Sequence, residues 1–146
     1  MSIPTLGIVG AGDIVRGVHV PVLAAMRQKV RVAYVADVNE RAARTSAKLL
    51  RCAAESLNGT GLQRLPETDL VLIAIPVGVR GPYYREFAER GTLVVAEKPP
   101  ATSSAELVEL GRLFGTHRMA VFLQRRTYLS TLLVESVTEH GLFGRL

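Results

Sequence analysis

The sequence has few of the residues that hold together small secreted proteins or metal sites. Its 146 residues include one cysteine, Cys52, and three histidines. A single cysteine excludes an internal disulfide and any cysteine-rich metal site. No HxxxH or HExxH spacing and no grouped carboxylates indicate a metal ligand set, and no GxSxG motif indicates a hydrolase. We therefore expect no resident metal and a reduced, cytoplasmic setting.

Long apolar segments are also missing. No apolar run approaches the roughly 20 residues that a membrane-spanning helix needs. The opening stretch MSIPTLGIVG has no basic segment ahead of an apolar one, so no secretory signal is visible. Tryptophan is absent and aromatic residues make up 5% of the chain, so aliphatic side chains must fill the core. With 48% hydrophobic and 21% charged residues, the composition is typical of one globular domain without a membrane partner.

Positive charge is in excess but is not concentrated in one place. The net charge is +5, and the densest basic groups are RQKVR (Arg27 to Arg31) and QRR (Gln124 to Arg126). Neither group is interleaved with aromatic residues, as a platform for nucleic acid would be. We therefore expect no nucleic-acid partner and interpret the arginines as a solvated surface that also favours small anions.

Apolar runs alternate with helical patterns along the chain. The runs are continuous in Val, Ile and Leu, which indicates strands buried on both faces. Five such strands are predicted, at Thr5–Gly10, Val30–Asp37, Asp69–Pro76, Thr92–Glu97 and Met119–Leu123. The alternation predicts a Rossmann-like, doubly wound, mainly parallel α/β sheet with helices on both faces. Because ligands bind beyond the carboxyl ends of such strands, candidate site residues should follow them directly.

Each predicted helix has a boundary residue of the expected type. The first helix begins at Ile14, and Pro21 breaks or restarts it before Met26. Asn39 caps the second helix, and Gly91 follows the third, Pro82–Arg90. Ser103 and Glu106 form a capping box for the fourth helix, and the last helix ends at Gly141. The last helix carries an apolar stripe of Leu129, Leu132, Leu133 and Val137.

A glycine turn, Gly10-Ala11-Gly12-Asp13-Ile14-Val15, follows the first strand. Gly10 would serve a tight turn, and Gly12 would let a pyrophosphate approach the backbone at a helix N-terminus. Val15 stands where the full dinucleotide fingerprint has a third glycine. The position between an apolar strand and a helix favours phosphate binding, with a plain turn as the alternative.

Asp37 ends the second strand, 25 residues after Gly12. An acid at about this distance can bind the adenosine ribose hydroxyls and would repel a 2′-phosphate. We therefore expect NAD as the cofactor. Arg41 follows one helical turn later and could soften this preference, which leaves NADP as the second choice. A solvated strand end is the alternative role for Asp37.

Two further strand ends carry candidate groups. Pro76 ends the third strand in AIPVGVRGP, where a rigid segment would shape the cofactor floor or form a simple loop. Arg80 would reach a phosphate or carboxylate, or else lie on the surface. Glu97-Lys98-Pro99 ends the fourth strand, which we expect beside the first. Lys98 could exchange a proton with a substrate oxygen, and Glu97 could orient it, although a solvated pair is as compatible with the sequence.

His19 lies in the first helical region, two residues before Pro21. We interpret it as a structural polar residue and not as a catalytic base. Cys52 is expected to be a buried small hydrophobic residue.

Together these segments resemble the Gfo/Idh/MocA family of oxidoreductases over almost the entire chain. GIVGAGDIVRGVHVPVL is similar to the family's opening strand, glycine turn and HxPAL-like segment, and VADVNERAA is similar to its second-strand acid and the helix after it. DLVLIAIPVGVRGPYYREFAERGTLVVAEKPPA resembles the stretch leading to the family's EKP motif, which is the most specific feature. FLQRRTYLSTLLVESVTEHGLFGRL resembles the family's linker region, with Arg126 at its usual arginine.

The resemblance implies a nicotinamide cofactor and hydride transfer on sugars, cyclitols or related polyols. By position, it implies that the pyrophosphate is lined by Gly10, Gly12, Asp13 and Ile14. Asp37 would hold the ribose and Pro76 would lie under the cofactor. Glu97 would contact the nicotinamide side, with Arg80 as a further cofactor contact. Lys98 would be the catalytic acid/base or the substrate-orienting lysine.

The chain also departs from the family pattern. Val77 stands where the family usually has Asn, Arg80 where it often has His, and Ile75 where Thr is common. The segment Ser56 to Thr68 is shorter than usual. Family members continue into a second α/β domain that supplies most of the substrate pocket. The resemblance therefore implies a dinucleotide-binding domain over residues 1–123. Over residues 124–146 it implies a linker and helix leading to a domain that is absent here.

Two hypotheses follow. In the first, the chain is the nicotinamide-binding domain of an oxidoreductase and turns over little or no substrate by itself. In the second, it is a non-catalytic nucleotide- or partner-binding module, either a degenerate family member or one half of a split enzyme. Because the second domain would cover part of this one, we also expect exposed apolar surface on the last helix, compatible with a homo-oligomer or a complementing chain.

Overall fold

A computed structural model of the chain describes residues 2–59, 61–123 and 128–140. Within these ranges a single parallel sheet has the strand order β3-β2-β1-β4-β5-β6. Its strands are β1 (Thr5–Val9), β2 (Arg31–Asp37), β3 (Ala53–Ser56), β4 (Leu70–Ile73), β5 (Leu93–Glu97) and β6 (Met119–Phe122). The predicted doubly wound α/β fold is confirmed.

The described residues also form five α-helices: α1 (Val20–Ala25), α2 (Glu40–Leu50), α3 (Gly81–Glu89), α4 (Ser104–Phe114) and α5 (Leu129–Glu139). A π-helical turn, Val15–His19, runs directly into α1. Pro21 lies in the first turn of α1, directly after the π-helical turn. The helix type changes at this junction, in agreement with the restart alternative. The predicted helix end at Gly141 lies outside the described residues.

The predicted helix boundaries have the expected hydrogen bonds. The Asn39 side-chain oxygen accepts from the Ala42 N–H at 3.2 Å, and the Ser103 hydroxyl accepts from the Glu106 N–H at 3.2 Å. The Glu106 carboxylate turns back to the N–H of Thr102 at 2.6 Å, one residue earlier than in a standard capping box. Gly91 has a φ of 71°, the left-handed conformation that favours glycine after a helix.

The core consists of two layers, one on each face of the sheet. On one face Ile8 packs with Val15 and Leu50, from the helical segments that follow β1 and β2. On the other face Val9 packs with side chains of α3 and α4, including Phe87 and Phe114. Each fully buried side chain of this size contributes roughly 1.5–3 kcal/mol. The covering of both faces explains why the strands are continuously apolar.

Two features of the sheet differ from the prediction. The edge strand β3 was not predicted, because its sequence AAES is small, polar and at most half-buried, and it forms by pairing with β2. The strand that ends at Glu97, β5, lies between β4 and β6 and not beside β1. The crossover through α3 places β5 directly beside β4, with which it pairs in parallel.

Helix α5 carries the expected exposed apolar surface. None of its residues is buried, and Leu129, Leu133 and Val134 are 82%, 62% and 61% exposed. Within the described ranges, the helices are too short or too polar to cross a bilayer.

Candidate functional site

The predicted site residues lie at the carboxyl edge of four adjacent strands. Strand β2 ends at Asp37, and β1 ends directly before Gly10. Strand β4 ends three residues before Pro76, and β5 ends at Glu97. Since these strands are neighbours in the order β2-β1-β4-β5, the sheet brings the four positions to one edge. Strands β2 and β3 lie on one side of β1, and β4, β5 and β6 lie on its other side. The strand order therefore reverses between β1 and β4, where a fold of this kind has its ligand crevice.

Gly10 is required by the backbone at the end of β1. Its φ is 108°, a conformation that other residues rarely adopt. A Cβ atom at this position would lie 2.5 Å from the carbonyl oxygen of Ala74, which follows β4. The Gly10 N–H also donates to the Ala36 carbonyl at 2.7 Å. The turn is therefore tight and packed between its two neighbouring strands.

Gly12 borders open space. A Cβ atom there would meet no atom within 4 Å, so a ligand can approach the backbone from this side. Asp13 and Ile14, the next two residues, are exposed at the start of the helical segment, and the Asp13 carboxylate accepts from the Arg16 guanidinium. This open backbone beside a tight turn fits a pyrophosphate, and the role of these residues in binding it stays a prediction.

Asp37 connects the end of β2 to the glycine turn. Its Oδ2 atom accepts from the Ala11 N–H at 2.6 Å, and its Oδ1 atom accepts from the Asn39 N–H at 2.7 Å. The carboxylate is therefore fixed in position, beside the first residue after Gly10. Each carboxylate oxygen can accept a second hydrogen bond, which leaves capacity for ribose hydroxyls.

Arg80 is buried, with 4% of its surface exposed, which excludes the surface position that the sequence left open. It follows Pro76 and the 3₁₀ turn Val77–Val79, at the beginning of α3. Its guanidinium donates to carbonyl oxygens: Nε to Ile75 at 2.8 Å, and one terminal nitrogen to both Glu97 and Pro99, at 2.7 Å for Pro99. Arg80 therefore joins the segment after β4 to the segment after β5.

Glu97 is buried at the end of β5 and pairs with His19. The Nε2 atom of His19 lies 2.7 Å from Oε1 of Glu97, and both side chains are less than a tenth exposed. Because a carboxylate can only accept, Nε2 carries the proton in this hydrogen bond. The His19 ring also packs against Phe122 of β6, with the two ring centroids 5.0 Å apart and the ring planes at 47° to each other.

Lys98 is exposed, in contrast to its buried neighbour. The Lys98–Pro99 peptide is cis, and the Lys98 N–H lies 3.3 Å from Oε2 of Glu97. Arg80 binds the carbonyl groups of Glu97 and Pro99, on either side of Lys98, while the Lys98 side chain is exposed to a ligand. An amine held at this edge can donate a proton to a developing alkoxide or accept one from a hydroxyl.

The partners of two buried residues could not be predicted from the sequence. His19 was expected to be structural, and it is, but its partner Glu97 is 78 residues away and could not be identified from local pattern. Arg80 was expected to meet a ligand or solvent, whereas its guanidinium donates to backbone carbonyl oxygens. The sequence signals were the HxPAL-like segment that contains His19 and the position of Arg80 shortly after a strand, and neither signal identifies a partner.

A separate groove of about 260 Å³ lies between α3 and α4. It is bordered by Gly78, Gly81 and Ala101, and by Glu106 and Glu109. It lies beside the Pro76–Arg80 segment and is not lined by the glycine turn, so it is distinct from the dinucleotide crevice. Among the described residues, no three His, Cys, Asp or Glu side chains come together as metal ligands would.

The parallel α/β fold and the residues at the carboxyl edge of its sheet together define a dinucleotide-binding α/β protein. Residues 5–124 match the family model described as "Oxidoreductase family, NAD-binding Rossmann fold", which is the Gfo/Idh/MocA family. The match covers most of the chain, so the chain belongs to this family and contains its NAD-binding Rossmann fold. No curated protein sequence matches the chain at a significant level.

Solved structures of several oxidoreductases share the fold. The WlbA dehydrogenase of Bordetella pertussis, in complex with NADH and UDP-GlcNAcA, has 24% identity and a TM-score of 0.83 over 99% of this chain and 44% of its own. Myo-inositol dehydrogenase of Lactobacillus casei, in complex with NAD(H) and myo-inositol, has 20% identity and a TM-score of 0.79 over 98% of this chain and 43% of its own. An oxidoreductase of Thermotoga maritima has 22% identity and a TM-score of 0.81, over 98% and 45%. The chain thus spans less than half the length of these proteins.

Proposed function

We propose that this chain is the NAD-binding part of an oxidoreductase that transfers hydride between a nicotinamide cofactor and a carbinol or carbonyl carbon. One observation carries the proposal. Lys98 presents an exposed side chain at the end of β5, on the same sheet edge as the open backbone of Gly12 and the fixed carboxylate of Asp37. The Lys98 amine, an acid or a base, would therefore lie near the nicotinamide end of a dinucleotide bound along this edge.

In this proposal each site residue has a defined task. The pyrophosphate lies against the turn formed by Gly10, Gly12, Asp13 and Ile14. Asp37 accepts from the ribose hydroxyls, which favours NAD over NADP. Pro76 forms the floor of the crevice, and Glu97 borders the nicotinamide side. Arg80 contributes to the cofactor site through the backbone it holds, because its guanidinium donates to the carbonyl oxygens of Ile75, Glu97 and Pro99.

The bound cofactor would supply the hydride acceptor or donor. Lys98 would give a proton to the substrate oxygen during reduction and take it back during oxidation. The fold neighbours that bind UDP-GlcNAcA and myo-inositol support a sugar-derived, cyclitol or other polyol substrate. Residues 1–123 would bind the cofactor and residues 124–146 would lead to a further domain that encloses the substrate. Without such enclosure we expect almost no turnover, because the substrate is not oriented.

Calorimetric titration of the 146-residue chain with NADH and NADPH tests the cofactor site. We expect saturable NADH binding with a Kd below about 1 mM. Gly12→Leu should abolish it by filling the open space, whereas Gly111→Leu should not. Gly111 is the matched control because it also has no atom within 4 Å of an added Cβ but lies in α4. If neither nucleotide binds the unaltered chain at millimolar concentration, the proposal is wrong.

A non-catalytic partner-binding module, or one half of a split enzyme, is the second candidate. The exposed apolar side chains of α5 favour it, since a homo-oligomer or a complementing chain would bury them. Val77 and Ile75 also leave the turn after β4 without a polar side chain for a cofactor. Absence of nucleotide binding together with concentration-dependent self-association in sedimentation would favour this candidate. A reduced, cytoplasmic compartment is proposed for either function, supported by the lone Cys52.

A further inference from the structure

We propose that His19 and Arg80 are positioning residues that hold the Lys98 segment at a fixed place relative to the glycine turn, and so determine how the nicotinamide ring is bound. This inference rests on the proposed function, because it assigns a task within the same cofactor site. Neither side chain is expected to touch the reacting atoms. Their effect would reach the ligand through Glu97 and the backbone on either side of Lys98.

Arg80 fixes the backbone around Lys98. One terminal nitrogen of its guanidinium donates to the carbonyl oxygens of both Glu97 and Pro99, the two residues that flank Lys98. Its Nε atom donates to the Ile75 carbonyl, directly before Pro76. A guanidinium can hold these acceptors together because its donors lie in a rigid plane. The segment carrying Lys98 is thereby tied to the predicted floor of the cofactor crevice.

Tyr84 adds a further bond from the same helix. Its hydroxyl donates to the Pro100 carbonyl at 3.0 Å. Arg80 and Tyr84 are one helical turn apart, and the Tyr84 N–H donates to the Arg80 carbonyl at 3.0 Å. Arg80 and Tyr84, at the beginning of α3, therefore bind the carbonyl groups of Glu97, Pro99 and Pro100, at the end of β5 and directly after it.

His19 fixes the same segment from the other side of the crevice. It ends the π-helical turn that begins three residues after Gly12, and its ring reaches Oε1 of Glu97 at 2.7 Å. Strand β4 lies between β1 and β5 in the sheet, so this bond spans an intervening strand. The helix that would bind the pyrophosphate is thereby connected to the residue that precedes Lys98.

The two contacts restrain different groups. His19 binds the Glu97 side chain, while Arg80 binds the Glu97 and Pro99 carbonyls. If either bond were lost, the glycine turn would remain intact, because it is held by Ala36 and Asp37. A positioning role therefore predicts a loss confined to the nicotinamide end of the ligand. A general contribution to stability would weaken both ends of the ligand equally.

NADH and ADP-ribose provide this comparison, since ADP-ribose lacks only the nicotinamide ring. The full chain and its His19→Leu and Arg80→Met variants would be titrated with both ligands by calorimetry, and the emission maximum of bound NADH would be recorded. Losing a hydrogen bond that positions the site should weaken NADH binding about tenfold and ADP-ribose binding less than about twofold. The emission maximum of NADH bound to the variants should also lie closer to that of free NADH.

Matched controls and conservative variants complete the experiment. His117→Leu and Arg85→Met remove exposed residues of the same types, the latter on the same helix as Tyr84, and should leave both affinities unchanged. If the first variants do not fold, His19→Gln and Arg80→Lys replace them. His19→Gln keeps a side-chain N–H donor and should recover most NADH affinity. Arg80→Lys cannot bridge its acceptors in the same plane and should keep the selective loss.

Each outcome has a distinct meaning. Selective loss of NADH affinity with a shifted emission maximum supports the positioning role. Equal losses for NADH and ADP-ribose, or unchanged NADH binding, would overturn it while leaving the proposed function in place. Failure of the unaltered chain to bind either ligand would overturn the proposed function and this inference together.

Discussion

The His19 ring and the Glu97 carboxylate are joined by a 2.7 Å hydrogen bond in the interior, although 78 residues separate them in the chain. A buried carboxylate is costly unless it is hydrogen-bonded, and His19 supplies a donor to Oε1. The bond also connects the helix after the glycine turn with the end of β5. The conformation of the predicted catalytic segment therefore depends on the first crossover of the fold.

Asp37→Asn should change the choice of cofactor. The substitution removes the negative charge that would repel a 2′-phosphate, and it replaces one acceptor of a backbone N–H by an amide donor. We expect NADH affinity to fall about tenfold and the preference for NADH over NADPH to narrow. Glu40→Gln, at an exposed carboxylate on the next helix, is the control. An unchanged NADH-to-NADPH affinity ratio in Asp37→Asn would contradict the assignment of Asp37 to the ribose.

Gly7→Ala should destabilise the fold strongly. A Cβ atom at Gly7 in β1 would lie 2.3 Å from ring atoms of Tyr34, which is fully buried on the neighbouring strand. Overpacking of this kind costs roughly 1–3 kcal/mol in the free energy of unfolding, measurable by urea denaturation. The control is Gly111→Ala in α4, where the added methyl meets no atom within 4 Å and should stabilise by about 0.5–1 kcal/mol. Similar unfolding free energies for the two variants would contradict the packing argument.

The fold could be predicted well because its signals are local. Continuous Val, Ile and Leu runs mark buried parallel strands, and Asn39, Gly91 and Ser103 mark helix boundaries through bonds to nearby backbone atoms. Edge strand β3 escaped prediction because its four residues, AAES, have little apolar content. Its pairing with β2 stabilises it, and this tertiary contact cannot be predicted from the local sequence.

The candidate site could be predicted only in part. The common position of Gly10, Asp37 and Glu97 could be predicted because the strand ends of a parallel sheet lie at one edge. The partners of Arg80 and His19 depend on which strands are adjacent, and β5 was expected beside β1, whereas β4 lies between them. Side-chain contacts across that edge therefore could not be assigned.

Cys52 should be a poorly reactive thiol in the folded chain. Burial raises the pKa of its thiol to about 11, which leaves little thiolate near pH 8. We expect modification by a disulfide reagent at pH 8 to be roughly 10- to 100-fold slower in the folded chain than in urea. Reaction at the rate of the unfolded chain would show that the thiol is accessible and ionises normally.

Tyr34→Phe should remove one cause of alkaline unfolding. Burial raises the pKa of Tyr34 to about 12. Between pH 10 and pH 12 the unfolded chain therefore loses this proton while the folded chain keeps it. The free energy of unfolding must then fall as the pH rises through that interval.

The Tyr34 hydroxyl has no hydrogen-bond partner among the described residues, so its removal should not destabilise the protein at pH 7. Urea unfolding from pH 8 to pH 11.5 should show a shallower loss of stability above pH 10 in Tyr34→Phe than in the unaltered chain. Tyr128→Phe, at a tyrosine that is 55% exposed, should follow the unaltered chain throughout. Parallel curves for all three proteins would mean that the Tyr34 proton does not contribute to stability at high pH.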